Sequence, residues 1–161
     1  MSERRRSPLP VLLAAVVLAL PAAQAHARPL TASPLLWATD NVCAVPKQPD
    51  TVGVRASMPG SGRASEEMFL RFELQYRRAA DGRWTDVGDS GFVDVGSGRF
   101  RARQTGRDFV VAPPAAGSYT LRGLVTFEWR RKGKVVRRAR RATADRVKPV
   151  AGTATCVIAA G

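Results

Sequence analysis

The stretch Met68-Phe69-Leu70-Arg71-Phe72-Glu73-Leu74-Gln75-Tyr76-Arg77 has a period of two. Met68, Leu70, Phe72, Leu74 and Tyr76 fall on one face, Arg71, Glu73, Gln75 and Arg77 on the other, and only Phe69 is out of step. Helical spacing would scatter these apolar residues around a cylinder, so the pattern predicts a half-buried β-strand. Just beyond it, Asp81-Gly82 supplies a turn that tolerates positive φ, and Trp84 to Val87 returns alongside as the second arm of a hairpin.

The same signals recur outward from this hairpin. Upstream, residues 36–45 alternate with Trp37, Thr39, Asn41 and Cys43 on one side. Val52, Val54, Ala56 and Met58 then alternate with Gly53, Arg55 and Ser57. Downstream, Gly88 to Gly98 holds four glycines and predicts turns with at most one short strand. Phe100 to Gln104 and Asp108 to Ala112 read as two further short strands, the latter stopped by Pro113-Pro114. From Ser118 to Arg130, Tyr119, Leu121, Val125, Phe127 and Trp129 share a face, interrupted by Gly123. The opposite face carries Thr120, Arg122, Leu124, Thr126, Glu128 and Arg130. Arg131 to Lys134 turns the chain into a partner strand from Val135 to Thr143, and Thr153 to Ile158 closes the domain. Eight or nine strands with turns about every ten residues and no 3.6 periodicity predict an all-β chain folded as a β-sandwich. Its expected core is Phe72, Leu74, Trp84, Val110, Tyr119, Leu121, Val125 and Phe127.

Gly106 to Val125 reads G-R-D-F-V-V-A-P-P-A-A-G-S-Y-T-L-R-G-L-V. This resembles the E strand, E–F corner and F strand of immunoglobulin-like domains, where a short apolar strand leads through a turn to Gly-x-Tyr. The resemblance spans about Val52 to Thr143. It implies an immunoglobulin-like β-sandwich of about 7–9 antiparallel strands, with Tyr119 as a corner tyrosine whose hydroxyl bonds back to the turn. Leu121 stands where antibody-type domains carry the second cysteine of their bridge, and the strand around Phe72 has no core tryptophan, although Trp84 and Trp129 lie near enough to substitute. The fold hosts adhesion, recognition and structural roles alike, so the resemblance implies no particular activity.

Residues 1–27 read as a cleaved signal peptide. Arg4, Arg5 and Arg6 precede the apolar run Val11 to Leu20, and Ala25-His26-Ala27 offers a cleavage site before Arg28. Ten apolar residues are too few for a bilayer span, and no later segment is longer, so the expected product is secreted, without a transmembrane segment and monomeric. Residues 28–35 read as a flexible arm and 36–161 as one domain. Outside the cytoplasm the only two cysteines, Cys43 and Cys156, are expected to pair and tie the first strand to the last.

Cleavage removes His26, the only histidine, and with it the commonest neutral-pH general base and metal ligand. No other constellation supplies chemistry. Asp86, Asp89 and Asp94 surround a glycine-rich loop more sparsely than calcium sites require, and Glu73 and Glu128 sit among arginines as salt-bridge partners. The serines adjoin turns, and the short Gly-Ser-Gly segments precede no helix. A non-enzymatic protein with no cofactor and no metal is expected.

Charge is the strongest compositional feature. The whole chain has 26 Lys+Arg against 13 Asp+Glu. Losing the leader leaves 23 against 12, a net charge of +11. Nine basic residues fall between Arg130 and Arg146 against Asp145 alone: Arg130, Arg131, Lys132, Lys134, Arg137, Arg138, Arg140, Arg141 and Arg146. Adjacent arginines in a strand project to opposite faces, so this segment belongs at a sheet edge. One reading is an edge protected from pairing by its charges. The other is a ridge for polyanions such as anionic wall polymers, acidic polysaccharide, headgroups or nucleic acid without base-specific readout. The function classes left open are a structural or recognition module acting on an extracellular protein, a cationic adhesin for anionic cell-surface polymers, and a small protease inhibitor.

Overall fold

In the computed structural model, residues 29–145, 147 and 150–160 are described. The expected leader and Arg146 lie outside them. Eight strands run in chain order: β1 Trp37–Val45, β2 Gln48–Pro59, β3 Glu67–Arg77, β4 Trp84–Ser97, β5 Ala102–Val110, β6 Ser118–Arg131, β7 Lys134–Ala142 and β8 Cys156–Ala159. They form two antiparallel sheets, one ordered β1-β2-β5 and the other β4-β3-β6-β7, with β8 also paired to β6. β7 covers the half of β6 from Leu124 to Arg131 and β8 the half from Ser118 to Leu121. Among the described residues no helix is long and apolar enough to cross a membrane.

The period-two faces meet between the sheets. Val54, Ala56 and Met58 from β2 pack against Met68, Leu70 and Phe72 from β3 and Val125, Phe127 and Trp129 from β6, all fully buried. Trp129 Nε1 donates to the Pro59 carbonyl at 2.9 Å, so its one polar atom is satisfied in the core. A second cluster of Val52, Leu74, Leu121, Cys156 and Ile158 fills the end of the sandwich where Cys43 is bonded to Cys156. That bond joins β1 to β8, as the cysteine count predicts.

Several expectations need correction. Gly88 to Gly98 is not a run of turns: β4 stays paired with β3 through Ser97, absorbing three register shifts. Gly91 and Gly96 take φ of +65° and +104°, which lets the strand take in extra residues as bulges without ending the ladder. The two short strands expected at Phe100 to Gln104 and Asp108 to Ala112 are one, β5, unbroken through Gly106. Val110 is 83% exposed because it lies at the end of β5, an edge strand, and Trp84 lies outside both core clusters, with the Arg122 guanidinium 4.0 Å from its ring centroid. Within residues 28–35, Leu30–Ala32 form a single 3-10 turn, and Leu30 packs against the core.

Candidate functional site: an arginine-covered sheet face

Because side chains alternate across a strand, the antiparallel register dictates which polar residues stand beside each other on the outer face of the larger sheet. Asp94, Phe69, Glu128 and Arg138 form one cross-strand row, and Phe92, Arg71, Thr126 and Arg140 the next. Glu73 beside Leu124 comes next, followed by Gln75 beside Arg122. Arginines of β3 and β7 therefore stand next to acids of β3 and β6 on one surface.

Glu128 is 1% exposed, although it is on the outer face. Arg138 Nε donates to its Oε1 at 2.8 Å and Arg130 Nε to its Oε2 at 2.8 Å, so two guanidiniums roof one carboxylate. Arg140 Nη2 donates to Glu73 Oε2 at 3.1 Å. The ion-pair role expected for Glu73 and Glu128 is therefore present, but both acids lie beneath the arginines and not at the solvent face. Arg71 grips Asp89 through two nitrogens, Nε at 2.8 Å. That bond, with a further one from the Gly91 amide, holds the Asp89 carboxyl below its ordinary pKa.

Aromatic rings complete the surface. The Arg130 guanidinium carbon is 4.2 Å from the Phe69 centroid and 4.5 Å from that of Phe92, close enough for cation–π attraction to both. Phe69, the residue out of step in β3, thus has an outer-face function that its burial parity conceals. Phe92, Arg71 and Asp89 were absent from the sequence-based site. The β4 residues among them lie in the stretch read as turns.

Among the sequence-predicted residues, Arg130, Arg138 and Arg140 converge on this face. Arg137 and Arg141 leave the edge in the opposite direction, as strand alternation requires. Arg137 donates to Glu66 Oε2 at 3.4 Å and lies 5.8 Å from the Trp129 ring centroid, while Arg141 donates to the carbonyls of Thr31 and Arg140. Burial pushes the Glu66 carboxyl up, yet hydrogen bonds from Ser61 and Arg63 and the charges of Arg137 and Arg63 outweigh it and hold the pKa below its ordinary value. Arg131, Lys132 and Lys134 sit at the exposed hairpin tip, and among the described residues none has a carboxylate partner. The tip is a two-residue turn with Lys132 and Gly133 at φ of +51° and +73°. Asp86, Asp89 and Asp94 each bond a different protein partner: Gln75, Arg71 and the Gly96 amide. An open groove of about 360 Å³ runs across the face, lined by Arg71, Glu73, Phe92, Thr126, Arg138 and Arg140, with Glu128 in its wall.

A scan against protein-family models finds no match to this chain, and a search of curated proteins finds none.

Proposed function

We propose that the protein is a secreted, non-catalytic recognition module of immunoglobulin-like type that engages anionic polymers through the cationic edge of its larger sheet. One observation carries this reading: among the described residues, the eight cations between Arg130 and Arg141 meet only three carboxylates, Glu66, Glu73 and Glu128, which leaves a large positive excess at an exposed edge. Three of those cations, Arg131, Lys132 and Lys134, project together from a tight hairpin tip, where clustered charge gains most by displacing counterions from a polyanion. The immunoglobulin-like part of the reading is supported by the order of the strands. β1-β2-β5 faces β4-β3-β6-β7, with β5 and β6 occupying the places that Gly106 to Val125 resembles. Secretion is supported by the leader pattern and the disulfide.

The competing structural role, in which the charges only prevent edge-to-edge pairing, is separated by chromatography on immobilised heparin. The protein is expected to be retained at low salt and to elute in a sodium chloride gradient. A variant carrying Arg131→Gln, Lys132→Asn and Lys134→Gln elutes earlier, asparagine being chosen because it tolerates the positive φ at Lys132. Passage through the column at low ionic strength would remove the polyanion reading and leave edge protection.

A further inference from the structure

We propose that the groove on the outer face of β4, β3, β6 and β7 is a binding site for a carboxylated sugar, one unit of an acidic polysaccharide. This rests on the polyanion reading and narrows it in both place and chemistry, from the hairpin tip to the sheet face and from any polyanion to a uronic acid.

Two complementary chemistries meet in the groove. Arg138 and Arg140 have side chains 60% and 54% exposed, and each spends only part of its donor set on Glu128 or Glu73. A guanidinium has five N–H donors in a fixed fork, so the acids beneath position these two forks while donors remain for a ligand carboxylate. Glu73, Thr126 and Glu128 form the buried floor of the groove and orient the two forks from below, so the exposed guanidiniums are what meets a ligand. Phe92, 39% exposed, provides an apolar wall for the C–H face of the ring.

The same composition disfavours phosphate polymers. Glu73 and Glu128 lie within the groove, so a chain bearing a charge on every unit would be repelled by them. Local charge also balances, because Arg71, Arg130, Arg138 and Arg140 share the face with Glu73, Asp89, Asp94 and Glu128. A ligand with one carboxylate per unit on an otherwise uncharged ring matches this pattern. The volume of about 360 Å³ is at the lower end of small-molecule sites, enough for one sugar unit, and the groove is open to solvent.

The test is titration calorimetry of the full protein with a galacturonic acid trisaccharide, the neutral galactose trisaccharide and inorganic tripolyphosphate. The acidic sugar is expected to bind, with the other two at least about tenfold weaker. Phe92→Ser, which keeps every charge, and Arg138→Gln, which leaves Arg130 on Glu128, should each weaken the acidic sugar by about tenfold. Retention of Phe92→Ser on heparin should be unchanged. Should Arg138→Gln fail to fold by circular dichroism, Phe92→Ser decides alone. Tripolyphosphate binding as tightly as the acidic sugar, sugar binding indifferent to Phe92→Ser, or absence of sugar binding would overturn the groove assignment while heparin retention still upheld the tip. Loss of both would remove both readings.

Discussion

Asp40 is an acid placed where ionisation is costly. It sits in β1, 2% exposed, with Oδ1 accepting from the Gly123 amide at 3.2 Å and Oδ2 3.1 Å from the Thr143 hydroxyl. The Thr143 hydroxyl also lies 2.7 Å from the Ala154 carbonyl. It has a single proton, so if that proton goes to Ala154, the contact to Asp40 requires the acid to supply the other. Asp145, which accepts from the neighbouring Ala154 amide at 2.8 Å, is itself an acid and offers Asp40 no compensation. Burial accordingly pushes the Asp40 carboxyl from 3.8 to about 7, against the hydrogen bonds from Thr143 and Gly123. A folded-state pKa raised in this way means that the native protein holds a proton the unfolded chain has lost. This contribution to stability is complete below about pH 4 and disappears as pH rises to about 7, a loss of a few kcal/mol. Asp40→Asn keeps an acceptor for Gly123 and a donor for Thr143, so it should flatten that slope and be more stable than the parent at pH 8. Urea titrations of both proteins at pH 4, 6 and 8 measure the difference, and parallel pH profiles would refute it. The sequence contains little hint of this arrangement. The alternation of residues 36–45 does not say which side faces the core; in the fold Asp40 shares the parity of the core residues Leu36 and Ala38, and the bridge to Thr153 closes over it.

At the scale of strands, parity made β2, β3 and β6 legible, because each has a clean apolar face and a one-residue slip would expose all of it. It also placed Glu73, Thr126 and Glu128 correctly on one outer surface. The groove itself was not legible, since it depends on β4, whose glycines read locally as turns and act in the sheet as bulges. Glycine has a second use here, seen at Gly123. The residue interrupts the apolar face of β6 in the sequence, and in the fold a Cβ there would lie 2.6 Å from Val54 Cγ1 and 2.7 Å from Thr143 Cγ2. Its missing side chain is what lets β2 and the end of β7 close over β6. Gly123→Ala should therefore overpack the interior and cost about 1–3 kcal/mol. The control is Gly133→Ala at the hairpin tip, which meets no neighbouring atom and pays only for its positive φ. Thermal melts of the two variants separate crowding from backbone strain, and equal losses would show that packing at Gly123 is looser than these distances imply.

For the molecule as a whole, the decisive connection is the one between its first and last strands. The Cys43–Cys156 pairing was legible because the sequence has only two cysteines, which the expected export would leave to pair with each other. The division of the β6 edge between β7 and β8 was not, because strand periodicity records which face is buried and says nothing of which distant strand pairs with which. That division makes the disulfide important. β8 is four residues long and meets β6 along Ser118 to Leu121 only, so its hold on the sandwich is short. The bridge closes a span of 113 residues across both sheets, and a loop of about 100 residues gains up to ~4.7 kcal/mol on chain-entropy grounds. Replacing both cysteines by serine should lower stability by about 2–5 kcal/mol. The loss should also be uneven. Amides of β8 should become the first in either sheet to exchange with solvent, while those of β2, β3 and β6, whose larger core cluster contains neither cysteine, keep the protection of global unfolding. Hydrogen exchange on the oxidised protein and the double variant tests this directly. If β8 remains as protected as β6 without the bond, the four-residue pairing and the Asp40 cluster hold the closing strand by themselves, and the disulfide acts only on the unfolded chain.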